Sequence, residues 1–136
     1  VDIQRENDQG IALAAIGPQA VKAKGDLFIS VHTDSSVKPE AKGSSAFIHP
    51  SDTRSKAIAE RVSISLAEKM GFVNRGVKTA NYQVLRDTYR YMPAILVEVG
   101  FISNPAEAQA ISSLTGAWKI ANGIANGVLA IYPGSR

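Results

Sequence analysis

Two short apolar runs, each ended by a side chain that can bind a metal or move a proton, constrain this chain more than any other feature. Leu27-Phe28-Ile29-Ser30-Val31 runs into His32, and Ala94-Ile95-Leu96-Val97 runs into Glu98. Both are too short for an independent helix and rich in strand formers, the pattern of buried strands in a parallel sheet. Between them, Ile58, Val62, Leu66 and Met70 recur every fourth residue from Arg54 to Met70, while Lys56, Glu60, Arg61, Glu68 and Lys69 fall elsewhere. That spacing predicts an amphipathic helix closed by Gly71. Asn104-Pro105-Ala106-Glu107 announces another, with Asn104 as cap, Pro105 in the first position and Glu107 at the capping-box site. A third begins near Thr115, with Trp118, Ala121, Ala125, Val128 and Tyr132 as its core stripe. An earlier helical stretch, Ile11 to Lys24, is interrupted by Gly17-Pro18. Ser45 to Ile48 and Tyr82 to Leu85 are weaker strand candidates. Strands alternating with helices predict a single α/β domain over residues 1–136, a mainly parallel twisted sheet flanked by helices on both faces.

A length of 136 residues with 45% hydrophobic content is enough for one real core. The sequence holds no cysteine, which excludes disulfides, thiolate nucleophiles and cysteine zinc sites, so any metal must use His, Asp or Glu. Two histidines, His32 and His49, are available. The net charge of +3 favours encounter with anionic polymers without demanding nucleic acid. An acidic cell wall suits it as well as RNA does. No apolar run approaches the roughly 20 residues of a membrane span. Val1 is neither an initiator Met nor the start of a signal peptide, so the chain reads as a processed or truncated product.

His32 is followed at once by the polar Thr33-Asp34-Ser35-Ser36. Open α/β sheets place their sites beyond the carboxyl ends of strands, which makes His32 a site candidate; an ordinary half-buried histidine is the equal alternative. Glu98 sits among apolar residues, where an ionised carboxylate is costly and needs a partner or a raised pKa. That partner is either a metal or its water, which suits proton transfer, or a cation such as Arg86 or Arg90.

Asp26 to His32, Asn74-Arg-Gly-Val-Lys78, Val84-Leu-Arg86 and Pro93-Ala-Ile-Leu-Val-Glu-Val-Gly-Phe-Ile-Ser-Asn104 together resemble the zinc-dependent N-acetylmuramoyl-L-alanine amidases, in that family's order. Val1 to Asp8 is weakly similar to the strand and turn that precede the histidine strand. The resemblance implies one zinc ion held by two histidines and a glutamate, with a separate glutamate as general base. His32 matches the last zinc-binding histidine and Glu98 the catalytic glutamate. The other two ligands would precede Val1, so this chain by itself is expected to hold zinc weakly and to be inactive. The implied reaction is hydrolysis of the amide between N-acetylmuramic acid and L-alanine in peptidoglycan. It places the protein outside the cytoplasmic membrane, in the periplasm or wall, or in a phage lytic agent. A non-catalytic wall-binding remnant of the same fold is the alternative. A nucleotide-binding domain is disfavoured, because no glycine-rich phosphate loop follows any strand.

Asp34 and Arg86 are candidates for lining the substrate groove. His49, between a strand candidate and a helix, reads as a surface histidine before it reads as a ligand. Arg5, Glu6 and Asp8 read as a solvated turn, and Lys38, Lys42 and Lys56 as solvated surface.

Overall fold

The computed structural model describes Ile3, Gln4 and residues 10–134. The readings at Val1 to Asp8 and at the Arg5, Glu6 and Asp8 cluster therefore fall, apart from Ile3 and Gln4, outside the described residues. In chain order the elements are α1 (Leu13–Lys22), β1 (Phe28–Asp34), β2 (Ser44–Ile48), α2 (Lys56–Met70), β3 (Asn74–Thr79), α3 (Gln83–Thr88), β4 (Ala94–Phe101), α4 (Pro105–Ile111) and α5 (Leu114–Ile131). Among the described residues, four strands form one sheet in the order β1-β4-β2-β3. β1 is parallel to β4, and β2 is parallel to β3, but β2 runs antiparallel to β4. The sheet is thus mainly parallel, as expected, with one antiparallel pairing that makes it mixed. Apolar patterning specifies burial, and both directions of a strand carry the same pattern.

Strand alternation sends successive side chains to opposite faces. One face of the sheet carries Ile95, Val97 and Val99 of β4 with Ala46 and Ile48 of β2, packed against Ile58, Val62, Leu66 and Met70 of α2. This is the predicted helical stripe, and each of its larger side chains contributes about 1.5–3 kcal/mol by leaving water. α2 ends as expected at Gly71, whose φ of 70° is the left-handed conformation that glycine tolerates best. The opposite face is covered over its lower half by α1 and α3, where Ala20, Phe28, Val84, Leu85, Met92, Ala94 and Leu96 form a second cluster. Its upper half is polar.

Several local expectations change. α5 is a helix, but of its expected stripe Trp118, Ala121, Ala125 and Tyr132 are exposed and Val128 alone faces inward, beside Ile120, Ile124 and Ile131 with Gly116, Gly123 and Gly127. A Cβ on Gly127 would stand 2.4 Å from Val62 Cα, and one on Gly123 2.8 Å from Leu66 Cα. Backbone-to-backbone approach, invisible to a search for large apolar residues, sets the orientation of this helix. Tyr82 to Leu85 is the start of helix α3 and not a strand. β3 was not anticipated as a strand, because Asn74-Arg75-Gly76 breaks its pattern. α1 runs through Gly17-Pro18 without a break; Gly17 lets Asp87 of α3 press against the helix, a Cβ there lying 2.5 Å from Asp87 Cβ. β1 has one neighbour among the described residues, leaving Val31 and His32 exposed where burial was expected.

Asn104 caps α4 through its side chain, accepting from Glu107 N, and Pro105 occupies the first turn. Glu107 does not turn back to Asn104. It is buried and accepts from Phe101 N at 2.8 Å and from Gly43 N at 2.7 Å, tying the end of β4 to the approach into β2.

Candidate active site

The polar upper half of the sheet is built by register. His32 of β1 pairs with Glu98 of β4, and Glu98 pairs with Ser45 of β2. Paired residues share a face, so the imidazole, the carboxylate and the hydroxyl stand in one row across three strands. Lys78 of β3 pairs with Phe47 and belongs to the same face. The row lies at the carboxyl ends of β1 and β4 and the amino end of β2.

Ser30, two residues before His32 and on the same face, shares a hydrogen bond with it at 2.6 Å between Ser30 Oγ and His32 Nε2. This fixes which way the ring turns. His32 is exposed, and it lines a cavity of about 420 Å³ with Val31, Thr33, Val99, Ile111 and Ile120.

Glu98 is the half-buried member of an otherwise buried strand. Its Oε2 atom is buried with no hydrogen-bond partner among the described residues. Burial, and secondly the negative charge of Asp34, push its carboxyl up to about 7. The cationic partner that sequence offered as an alternative is not there. Arg86 lies 3.9 Å from Asp87 through Nε and Oδ1, and Arg90 donates to Tyr89 Oη at 3.1 Å. A carboxylate with a near-neutral pKa and an unsatisfied oxygen is suited to exchanging a proton with water. It also fits a site in which a cation, or a water it holds, completes the oxygen's coordination. His32 beside it supplies a nitrogen ligand. Among the described residues no three His, Asp or Glu side chains converge as a metal cluster.

Asp34 joins this site through its charge, felt by both Glu98 and Lys78. Arg86 does not. It lines a separate cavity of about 980 Å³ with His49, Tyr89 and Arg90. Because β2 is antiparallel to β4, its carboxyl end carries His49 to the opposite end of the sheet from Glu98. There His49 stacks on Tyr89, with ring centroids 4.0 Å apart and planes 6° off parallel, and its Nδ1 accepts from Ser51 N. These contacts account for it as a structural side chain. Sequence reading missed Ser30, Ser45, Lys78 and Glu107. Alternation along the two strands was enough to flag Ser30 and Ser45, whereas the role of Glu107 depends on a contact 64 positions away in the chain.

Comparison with known proteins identifies the family to which this fold belongs. The model of the N-acetylmuramoyl-L-alanine amidase family matches residues 1–130. The chain is 38% identical over 112 residues to the "Probable cell wall amidase LytH" of Staphylococcus saprophyticus, covering 82% of this chain and 35% of that protein. It is 32% identical over 132 residues to the N-acetylmuramoyl-L-alanine amidase LytC of Bacillus subtilis, covering 96% of this chain and 26% of that protein. It therefore spans about a third or less of the length of these relatives. Among solved structures, an N-acetylmuramoyl-L-alanine amidase from Clostridium difficile 630 superposes with a TM-score of 0.90 at 29% identity, over 98% of this chain and 72% of the other. The catalytic domain of CwlV from Bacillus (Paenibacillus) polymyxa gives 0.87 at 30% identity, over 96% and 71%. A family model matched over residues 1–130 and the close superposition on solved amidases together show that the chain belongs to the N-acetylmuramoyl-L-alanine amidase family.

Proposed function

We propose that this chain carries the catalytic glutamate and one metal-binding histidine of an enzyme that hydrolyses the amide between N-acetylmuramic acid and L-alanine in peptidoglycan. The observation that carries this reading is the pairing of His32 with Glu98, whose buried Oε2 has no protein partner among the described residues. The family membership supports it. Zinc is the metal that the family favours and that a histidine nitrogen suits, with His32 as a ligand and the remaining ligands supplied from elsewhere in the protein. When bound, it would act as a Lewis acid on the amide carbonyl.

Glu98 does the proton work. As a carboxylate it takes a proton from the attacking water, and as the acid it returns that proton to the L-alanine nitrogen as the C–N bond breaks. A carboxyl near pKa 7 is matched to both halves of this exchange at neutral pH. Ser30 holds the His32 ring in orientation through its hydrogen bond. Burial, and secondly the charge of Asp34, keep the Glu98 proton affinity high. Arg86, in the cavity at the other end of the sheet, would touch the polymer only away from the reacting amide.

Such an enzyme acts outside the cytoplasmic membrane, at the wall. Among the described residues no helix is long and apolar enough to cross a membrane. The test is incubation of the intact protein with purified muropeptides and zinc, followed by mass spectrometry. Stem peptide with a free L-alanine amine supports the reading. Binding of muropeptide with no such product would favour a wall-binding role.

A further inference from the structure

Lys78 is the cation of the reactive face. Its side chain leans from β3 over the Phe47 ring, with Nζ 5.5 Å from the ring centroid, and donates to Ser45 Oγ at 3.1 Å. Ser45 is the register partner of Glu98. The ammonium therefore reaches the row of the reactive carboxylate, displaced sideways by one strand spacing of about 5 Å.

Its surroundings do not neutralise it. The ion pairs among the described residues are Arg54 with Asp52 and Arg86 with Asp87, and Lys78 takes part in neither. Its hydrogen-bond acceptor is a neutral hydroxyl, which leaves two of its three N–H donors for another group. A second cation stands close. Arg75, on the same strand, lies over the Phe101 ring at 5.0 Å and donates to Lys42 O. Partial burial, then the Arg75 charge, lower the Lys78 pKa, and Asp34 acts in the opposite direction. A partly desolvated ammonium beside a like charge costs free energy that an arriving anion recovers.

We propose that Lys78 is a substrate-recognition residue that receives a carboxylate on the peptide side of the scissile amide, within about a residue of the L-alanine. This rests on the amidase reading above. The peptide side is favoured because the acyl side has spent its carboxyl in the amide and is otherwise a neutral sugar, whereas the stem peptide keeps acidic groups. A role at the reacting carbonyl itself is disfavoured by position. Lys78 reaches the row from β3 through Ser45, with β2 standing between it and Glu98, so the ammonium sits to one side of the reacting atoms, where it selects a substrate without quenching the base.

The test is equilibrium binding to the intact protein carrying Glu98→Gln, so that ligand survives. Two muropeptides are compared that differ only in whether the residue after L-alanine bears a free carboxylate or a carboxamide. The free acid should bind about tenfold or more tightly. Lys78→Met should erase that difference by weakening the acid alone, leaving affinity for the amide unchanged, which also shows that the fold is intact. Lys78→Arg should keep most of it. A preference that persists in Lys78→Met, or one absent from the protein with Lys78 in place, overturns the assignment. A preference intact in a protein whose Glu98 form hydrolyses neither ligand supports Lys78 and counts against the amidase chemistry alone.

Discussion

His32 and Glu98 are opposite each other in a parallel strand pair, held there by four successive register partners from Phe28 with Ala94 to Val31 with Val97. The proposed metal ligand and general base, brought together this way, need no mobile loop to meet. Their spacing is set by the sheet, and the sheet is set by the packing behind it. The face away from the site rests on α2, so mutations there act on the chemistry only by shifting β4.

Replacing Glu98 with Gln keeps the size of the side chain and removes its ability to hold and return a proton. In the intact protein, muropeptide hydrolysis should fall by about 100-fold or more, while zinc content by elemental analysis stays unchanged. Near-native turnover would remove Glu98 from the mechanism.

The raised Glu98 pKa also makes stability depend on pH. The folded carboxyl titrates at about 7 against an ordinary value of 4.5. Between those values the folded chain keeps a proton that the unfolded chain has released, so raising the pH draws the equilibrium toward unfolding. For the metal-free protein, this group's stabilising contribution is complete below 4.5, declines as pH rises through about 7 and changes no further above that. Urea midpoints from pH 4 to 8 should show this decline in the parent and a shallower one in Glu98→Gln. Equal slopes would mean that Glu98 is not the titrating group.

If His32 ligates zinc, metal binding becomes part of the folding free energy. Added zinc should raise the melting temperature of the intact protein, and His32→Ala should lose most of that rise. His49→Ala, which breaks only a ring stack and a turn hydrogen bond, should retain it. An undiminished zinc response in His32→Ala would transfer the ligand role elsewhere.

Gly127→Ala runs against the usual helix preference, in which alanine is favoured by about 1 kcal/mol. The new methyl would meet Val62 backbone atoms at 2.4 and 2.7 Å, and backbone yields less easily than a side chain. The variant should therefore be less stable by about 1–3 kcal/mol, read from denaturant midpoints. A neutral or stabilising change would show that α5 can lift from α2 at little cost.

How much of this was legible in the sequence depended on range. The α2 stripe, the Asn104-Pro105 helix start and the existence of the strands that carry His32 and Glu98 follow from local pattern; both strands run on past those residues, to Asp34 and Phe101, and β1 is exposed at Val31 and His32, where it was expected to be buried. The reversal of β2 did not follow, because direction is decided by which strand lies next to it. Trp118 was misread as core because its size was weighed and the glycines at 116, 123 and 127 were not; on α5 the small residues mark the contact. Lys78 lay within a recognised motif, yet its place on the reactive face required the register of β3 against β2.

The tie made by Glu107 has a bearing on how such enzymes diversify. The segment 35–43 between β1 and β2 is fastened to the start of α4 at three points: Ser36 N to Ser103 Oγ, Asn104 Nδ2 to Pro39 O, and Gly43 N to Glu107 Oε1. That segment follows the histidine strand and forms one rim of the reactive end. It cannot be exchanged between relatives as a free module, because a transplanted loop would lose its three fastenings and leave the Glu107 carboxylate without one of its buried donors. New specificity grafted onto this rim would have to travel as two pieces of chain, residues 35–43 together with residues 103–107.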